Sequence, residues 1–257
     1  MKSLIIAFSM YSRIPMPKVS WSRESMKYSM CFFPLIGAVI GVLSVLLYKL
    51  MIFLSFPGSI RAAVLLAVPL LVTGGIHMDG FLDTIDAIKS FRTREERLQI
   101  LKDPHCGAFA VIFGAFYLVL EYAFLQAADA DTVKIIAASY ALSRILSGIS
   151  VVRFPKAKKD GTLRSFADAA DRRVYRILLM ELIVMLLVLL YMDPLLGAAA
   201  MVSAMLVFLY YWFMSQQSFG GTTGDLAGYF LSLCELWMLI LVTIVSLLRG
   251  VLLTFLQ

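Results

Sequence analysis

Charge is scarce in this chain: of its 257 residues only 16% are Asp, Glu, Lys or Arg, while 61% are hydrophobic and the mean hydropathy is +0.87. An ordinary soluble domain is roughly half apolar and about a quarter charged, and a core of this length cannot hide so much apolar surface from water. A soluble enzyme is excluded, and lipid is the solvent the composition requires. Cysteine is also sparse. Cys31, Cys106 and Cys234 are odd in number, far apart and without a C-x-x-C pair, so neither a disulfide framework nor a zinc site is indicated; the thiols are expected to be reduced and inert. The net charge of +6 does not imply nucleic acid, because in a membrane protein the placement of Lys and Arg matters more than their sum. A secretory signal is missing too: the first 27 residues carry Lys2, Arg13, Lys18, Arg23 and Lys27 and lack a clean apolar core with a small-residue cleavage site, so the N-terminus is expected to be retained. Without an internal repeat, low-complexity tract or linker, residues 1–257 read as one integral membrane domain.

What the sequence has in quantity is apolar runs long enough to cross about 30 Å of hydrocarbon. They are Cys31–Phe56, Ala62–Ile76, Ala108–Ala128, Val133–Val152, Ile177–Met192, Leu195–Met214 and Leu226–Leu248, an all-α, polytopic bundle of about seven transmembrane helices. The second run is short and ends at Gly74-Gly75, so it is expected to start earlier or to stop inside the membrane, where irregular backbone needs protein or water around it. With seven spans, residues 1–30, 77–107, 153–176 and 215–225 share one side and hold 18 Lys and Arg, whereas the other side holds four and Arg144 lies within the fourth span. The positive-inside rule then places the N-terminus and the three long connections in the cytoplasm and the C-terminus outside.

The residues suited to chemistry gather on that side. In Gly74-Gly75-Ile76-His77-Met78-Asp79-Gly80-Phe81-Leu82-Asp83-Thr84-Ile85-Asp86, three acids stand at offsets 0, +4 and +7, within roughly 60° on a helix. Like charges so close repel, and a hard divalent cation such as Mg²⁺, which takes one or two carboxylates plus substrate phosphate, is the natural means of holding them together; three surface acids on a solvated loop helix is the other reading, disfavoured by the apolar span before them and the interleaved Met78, Phe81, Leu82 and Ile85. His77 lies on about the opposite face; a general base and an interfacial histidine bonded to a backbone carbonyl are both open to it. Lys102 and Asp103, followed by Pro104 and His105, offer a phosphate contact and a further metal ligand, or an ordinary interfacial turn. The stretch Arg92–Arg97 reads as a solvated helix start with internal ion pairs.

A second candidate segment, Phe219-Gly220-Gly221-Thr222-Thr223-Gly224-Asp225, opens the last span. Its glycines allow backbone to approach a ligand, and free N–H groups at a helix start favour anions; a plain turn explains the glycines equally well but not Asp225 in a loop without Lys or Arg. Arg144, about twelve residues into its span, must face the bundle and pair. Glu121, Glu181 and Glu235 read as structural partners for it or as interfacial side chains. The loop of residues 153–176, with Lys156, Lys158, Lys159 and Arg164, serves equally as a topology signal facing anionic lipid or as an attractor for a nucleotide.

Taken together, Arg13-Ile14-Pro15-Met16-Pro17, Phe33-Pro34-Leu35-Ile36-Gly37, the Gly-Gly-x-His-x-Asp-Gly-x-x-Asp-x-x-Asp segment at 74–86, Lys102-Asp103, Ser143-Arg144 and Gly220-Gly221-x-x-Gly224-Asp225 resemble the cobalamin synthase family, the adenosylcobinamide-GDP ribazoletransferases, over nearly the whole chain. The resemblance implies a multi-pass enzyme of the prokaryotic cytoplasmic membrane, its active site facing the cytoplasm. It joins α-ribazole, or α-ribazole 5′-phosphate, to adenosylcobinamide-GDP with release of GMP, and it requires Mg²⁺. It also implies Asp79, Asp83, Asp86 and Asp225 as metal ligands and, with His77, as catalytic residues, and Lys102, Asp103, Arg144, Gly220, Gly221 and Gly224 as substrate-binding residues. Pro104 departs from the small polar residue expected after the aspartate. A CDP-alcohol phosphotransferase of phospholipid synthesis also carries Asp-Gly and repeated aspartates, but its pattern has Ala-Arg where this chain has Asp83-Thr84. A cation-coupled transporter would place its acids at mid-bilayer in a repeated half, and here they lie at span ends.

Overall fold

The computed structural model describes residues 1–158 and 161–255; Lys159 lies outside them. Among the described residues the chain is helical without a strand: α1 (Lys2–Tyr11), α2 (Arg23–Met26), α3 (Ser29–Phe53), α4 (Gly58–Thr73), α5 (Ile76–Lys89), α6 (Arg94–Ile100), α7 (Ala108–Ala127), α8 (Ala130–Arg153), α9 (Thr162–Ala169), α10 (Arg172–Met192), α11 (Pro194–Phe219) and α12 (Gly224–Phe255). Six of these, α3, α7, α8, α10, α11 and α12, are long and apolar enough to cross a membrane, and α4 with α5 makes a seventh only as a pair bent by 92°. The bend falls where the sequence placed a stop. Gly74 and Gly75 both adopt left-handed backbone, with φ of 67° and 79°, a conformation that an L side chain resists and glycine does not. The expected spans therefore hold, and the short second one is a broken helix whose second limb carries the acids.

A helix that is apolar all round belongs inside a bundle, and α8 is that helix: 89% of its most apolar stretch is buried, against 17% for α10. Its small residues, among them Ala137, Ala141, Ser143, Ser147, Gly148 and Ser150, let neighbours approach closely, as membrane helix packing requires. The closest is α3. Gly37 and Gly41, one turn apart, bring α3 onto the backbone of α8 at Tyr140 and Ala137, where a Cβ would collide with carbonyl oxygens. Helices α12, α10 and α11 complete the ring around α8, and α10, α11 and α7 turn much of their Leu, Val and Phe outward, as lipid-facing helices do.

Arg144 sits at the centre of this packing with 0% of its surface exposed. Its guanidinium pairs with Glu235 of α12 and donates to the Tyr140 carbonyl (2.9 Å) and Ser143 Oγ (3.0 Å). Of the three glutamates expected to serve it, Glu235 does; Glu121 lines the same small internal space without a hydrogen bond, and Glu181 is not part of that space. At the far end of the bundle Arg249 pairs with Asp193 (2.5 Å) and Asp131 (3.7 Å), closing the α7–α8 and α10–α11 turns against α12.

Breaking a buried ion pair by removing one partner costs about 3–5 kcal/mol, whereas replacing both by apolar groups is often nearly neutral. Arg144→Met alone and Glu235→Gln alone should therefore lower the melting temperature of the detergent-solubilised protein sharply. The double variant Arg144→Met/Glu235→Leu should recover most of that loss; a double variant as unstable as the worse single one would mean that the pair does not act as a unit.

Candidate active site

Helix α5 is amphipathic, and its apolar side decides where its acids go. Phe81 packs on Tyr117 of α7 and Tyr229 of α12, with ring centroids 5.0 and 5.5 Å away, and this pins α5 between those two helices. Gly80 lies against the first turn of α12 so closely that a Cβ there would stand 2.6 Å from the Asp225 carbonyl oxygen. Asp79, adjacent to that contact, and Asp225, part of it, are thus brought together from positions far apart in sequence.

They line one cavity of about 260 Å³ at the end of the bundle that carries α5, α6 and α9. Its walls come from α1, α3, α5, α8, the segment after α8, α9 and the start of α12. The same cavity is lined by Lys156, Lys158 and Arg164. The segment carrying the lysines is held down by a short bridge: Thr222 N–H donates to the Pro155 carbonyl (2.8 Å) and Ala157 N–H to the Thr222 carbonyl (3.0 Å). Lys158 Nζ lies 3.7 Å from Asp225 Oδ2. Lys156 is half-buried and donates to the Phe154 carbonyl; burial, with the Arg164 guanidinium nearby, pulls its ammonium down to about 8. Thr223 Oγ1 accepts from Leu226 N–H (3.2 Å) and so caps α12, leaving Gly224 open on the cavity wall.

Of the residues singled out from sequence, the cavity collects His77, Asp79, Gly224 and Asp225. His77 is 9% exposed, walled by Tyr11 (6.4 Å between centroids) and Phe33 (6.0 Å), and its Nε2 has no hydrogen-bond partner among the described residues. Asp83, one turn beyond Asp79, feels the charges of Asp79 and Asp225 but is not part of the cavity wall. Asp86 has another occupation. Its Oδ2 accepts from Gly107 N–H (2.6 Å) and its Oδ1 from Ala110 N–H (2.9 Å), so it caps the start of α7 from across the α5–α7 connection. Lys102 and Asp103 are exposed and outside the cavity, and Asp103 binds His105 Nδ1 at 2.7 Å. Arg144 lies beneath the cavity floor, committed to Glu235.

The other glycines have packing explanations. Gly220, with φ of 71°, ends α11 beneath the Arg94 guanidinium, whose Nε donates to the Phe219 carbonyl at 2.7 Å. Arg94 is therefore more than a solvated helix start, although Arg92 and Glu96 do form an internal ion pair at 3.7 Å as expected and Thr93 with Glu96 adds a capping box. At Gly221 a Cβ would stand 2.6 Å from Ala157 N and 2.7 Å from the Pro155 carbonyl oxygen, so this glycine serves the bridge that seats the lysine segment. What sequence reading left undecided was the basic loop: Lys156, Lys158 and Arg164 face the cavity rather than only the membrane. The aromatic wall was not foreseen, although Phe33 opens the Phe33-Pro34-Leu35-Ile36-Gly37 fragment and Tyr11 stands two residues before Arg13-Ile14-Pro15-Met16-Pro17.

Among the described residues no three His, Cys, Asp or Glu side chains converge in metal-holding geometry, so the four-aspartate cage is not assembled as drawn from sequence. The donor chemistry that does face the cavity, two hard carboxylates at Asp79 and Asp225 beside a space for phosphate, matches the one or two carboxylates a Mg²⁺ ion usually takes from protein.

A family profile described as cobalamin-5-phosphate synthase matches residues 3–243. Among curated relatives, an adenosylcobinamide-GDP ribazoletransferase of Lachnoclostridium phytofermentans is 45% identical over 92% of this chain and 91% of its own length. Proteins of the same name from Clostridium perfringens (31% identical, 95% of this chain and 98% of its own) and Desulfitobacterium hafniense (32%, 93% and 96%) follow. No solved structure matches.

The two roles assigned to aspartates separate by mutation. Asp79→Asn and Asp225→Asn should each lower turnover by about 10²-fold or more, the scale of a lost transition-state electrostatic contact, without altering the melting temperature. Asp86→Ala should instead cost about 1 kcal/mol of stability, as a lost helix cap does, and retain most of its turnover per folded molecule. Equal loss of turnover in all three at unchanged stability would refute the cap.

Proposed function

The chain belongs to the cobalamin-5-phosphate synthase family and is a transferase that acts in cobalamin nucleotide-loop assembly, and we propose that the cavity lined by Asp79, Asp225, Lys156, Lys158 and Arg164 is its active site. The observation that carries this reading is the shared lining itself: two carboxylates and three cations border one space at the start of a capped helix. A pyrophosphate has both needs at once, cationic or N–H donors for its oxygens and a carboxylate-held cation between them.

In this reading the 5′-hydroxyl of α-ribazole, or of its 5′-phosphate, attacks the cobinamide-linked phosphorus of adenosylcobinamide-GDP. An O–P bond forms to the ribose, the bond between the attacked phosphorus and the bridging oxygen breaks, and GMP leaves with that oxygen. Lys156, Lys158 and Arg164 bind the phosphate oxygens and stabilise the charge that moves onto the leaving group. The hydroxyl proton passes to a group on the cavity wall, His77 or a carboxylate not engaged with the metal. Asp79 and Asp225 would hold Mg²⁺, which when bound supplies charge neutralisation at the pyrophosphate; Lys158 stands beside Asp225 as its counter-charge. The bundle lies in the prokaryotic cytoplasmic membrane with this cavity toward the cytoplasm, a placement supported by the 18 Lys and Arg of the connections at that end. Family membership argues against the phospholipid-synthesis and transporter alternatives.

The decisive assay supplies purified protein in vesicles with adenosylcobinamide-GDP, α-ribazole and Mg²⁺ and measures GMP and cobalamin together. Product should form, vanish with EDTA and return with Mg²⁺ or Mn²⁺; activity indifferent to EDTA would remove the metal role from Asp79 and Asp225.

A pH dependence follows from Lys156. Its lowered pKa leaves the ammonium charged below about 8 and neutral above it, so phosphate binding should weaken as pH rises through that value. The KM for adenosylcobinamide-GDP should climb by about tenfold, the worth of one charge-assisted hydrogen bond, and Lys156→Met should show the high KM already at pH 7 with that rise flattened.

A further inference from the structure

The cavity has a second character that the phosphate chemistry does not use. Away from the charged wall it is lined by Met10, Tyr11, Phe33, Val151 and Leu231. Phe33 is 2% exposed and packs on Tyr11 with ring centroids 4.4 Å apart, and Tyr11 is braced from behind by Phe166 at 5.9 Å. His77 stands between the two regions, its ring against Tyr11 and Phe33 and its backbone two residues from Asp79. A rigid apolar and aromatic recess beside a polyanion site is the form of a pocket for a flat ring, because base–aromatic stacking is tolerant of ring identity and strong.

Size and polarity decide which ring. About 260 Å³ is below the roughly 300–1,000 Å³ of pockets that enclose drug-sized ligands, so the corrinoid substrate cannot enter whole and only a nucleoside-sized piece can. Two candidates exist, the base of α-ribazole and the guanine of the leaving nucleotide. Guanine carries amide and amino groups that an apolar wall would leave unpaired, at a cost of about 1–3 kcal/mol each, whereas a benzimidazole has no exocyclic polar group. The attacking hydroxyl also belongs to the same sugar as the ribazole base, so that base lies one ribose from the reacting phosphorus. The guanine is farther by a phosphate.

Resting on the reading of this cavity as the transferase site, we propose that the half-buried Tyr11, backed by the buried Phe33, forms the base subsite for the attacking nucleoside, with the corrinoid remaining outside the cavity. Tyr11 is a positioning and specificity residue; its ring, not its hydroxyl, is the working part.

Steady-state kinetics of the full chain in vesicles test this. Tyr11→Leu should raise the KM for α-ribazole tenfold or more and leave that for adenosylcobinamide-GDP within twofold, while Tyr11→Phe should match wild type in both. A rise confined to adenosylcobinamide-GDP would place guanine in the recess and overturn the proposal, as would an equal rise in both. If Tyr11→Leu fails to accumulate, α-ribosides tested on the wild type serve instead. Benzimidazole should have the lowest KM, with imidazole and hypoxanthine at least tenfold higher, and an indifferent or reversed order overturns the subsite. Wild-type protein that makes no cobalamin at all would refute the transferase reading itself, a result distinct from turnover without base discrimination.

Discussion

The contact on which the site depends is the meeting of α5 and α12 at Gly80, where backbone touches backbone. A methyl group at Gly80 would push the helices apart where Asp79 and Asp225 meet one wall, and Gly228 against His77 and Gly80 makes the same approach from the α12 side. That contact in turn needs a rigid partner beneath it. Helix α12 is held to the buried α8 by the Arg144–Glu235 pair and by close packing, and α8 is held to α3 through Gly37 and Gly41. The order of dependence runs from small residues in the membrane to the carboxylates at its edge. Lipid supplies no hydrophobic drive between helices, so close packing and a few polar contacts must set their positions.

Two kinds of aspartate follow from this arrangement. Asp86 points at the start of α7, where N–H groups without intrahelical partners accept no substitute from a surrounding lipid phase, and both of its oxygens are used. Asp79, exposed on the same helix seven residues earlier, has no such partner and faces the cavity. Helical spacing alone makes the two equivalent. What distinguishes them is the neighbour that each meets, which is a property of the packing of α5 against α7 and α12.

The same distinction sets the limit of sequence reading. Apolar length fixed the spans well, since lipid imposes it residue by residue: Ala108–Ala128 was expected and α7 runs Ala108–Ala127. The break at Gly74-Gly75 was legible because only glycine adopts two successive left-handed residues at little cost. The short helices α1, apolar but too short to span, and α9, amphipathic, left little signal, and with α1 went the aromatic wall at Tyr11. Gly221 and Gly224 look alike as letters, yet one is pressed on the backbone of Ala157 and the other is open to the cavity. Lys102 and Asp103 carry suitable chemistry and stand outside the cavity, and Lys156 and Lys158, which a topology rule explains fully, stand within it.

Charge bookkeeping at the two ends of the bundle shows where a ligand belongs. At the far end Arg249 joins Asp131 and Asp193, and Asp129 accepts from Ser246 at 2.6 Å and from Thr132 N–H at 2.7 Å, so these three acids have their partners in the protein. In the interior Arg144 has Glu235. At the cavity end the account is left open: Asp79 has no ion pair among the described residues, Lys156 reaches only a backbone carbonyl, and Lys158 meets Asp225 at the loose distance of 3.7 Å. Partly screened charges of both signs facing one another without close pairing are costly unless something completes them. A phosphate-bearing molecule together with a cation completes both signs at once, which is the physical reason the open end of the bundle, rather than its more charged loops, is the place to look for chemistry.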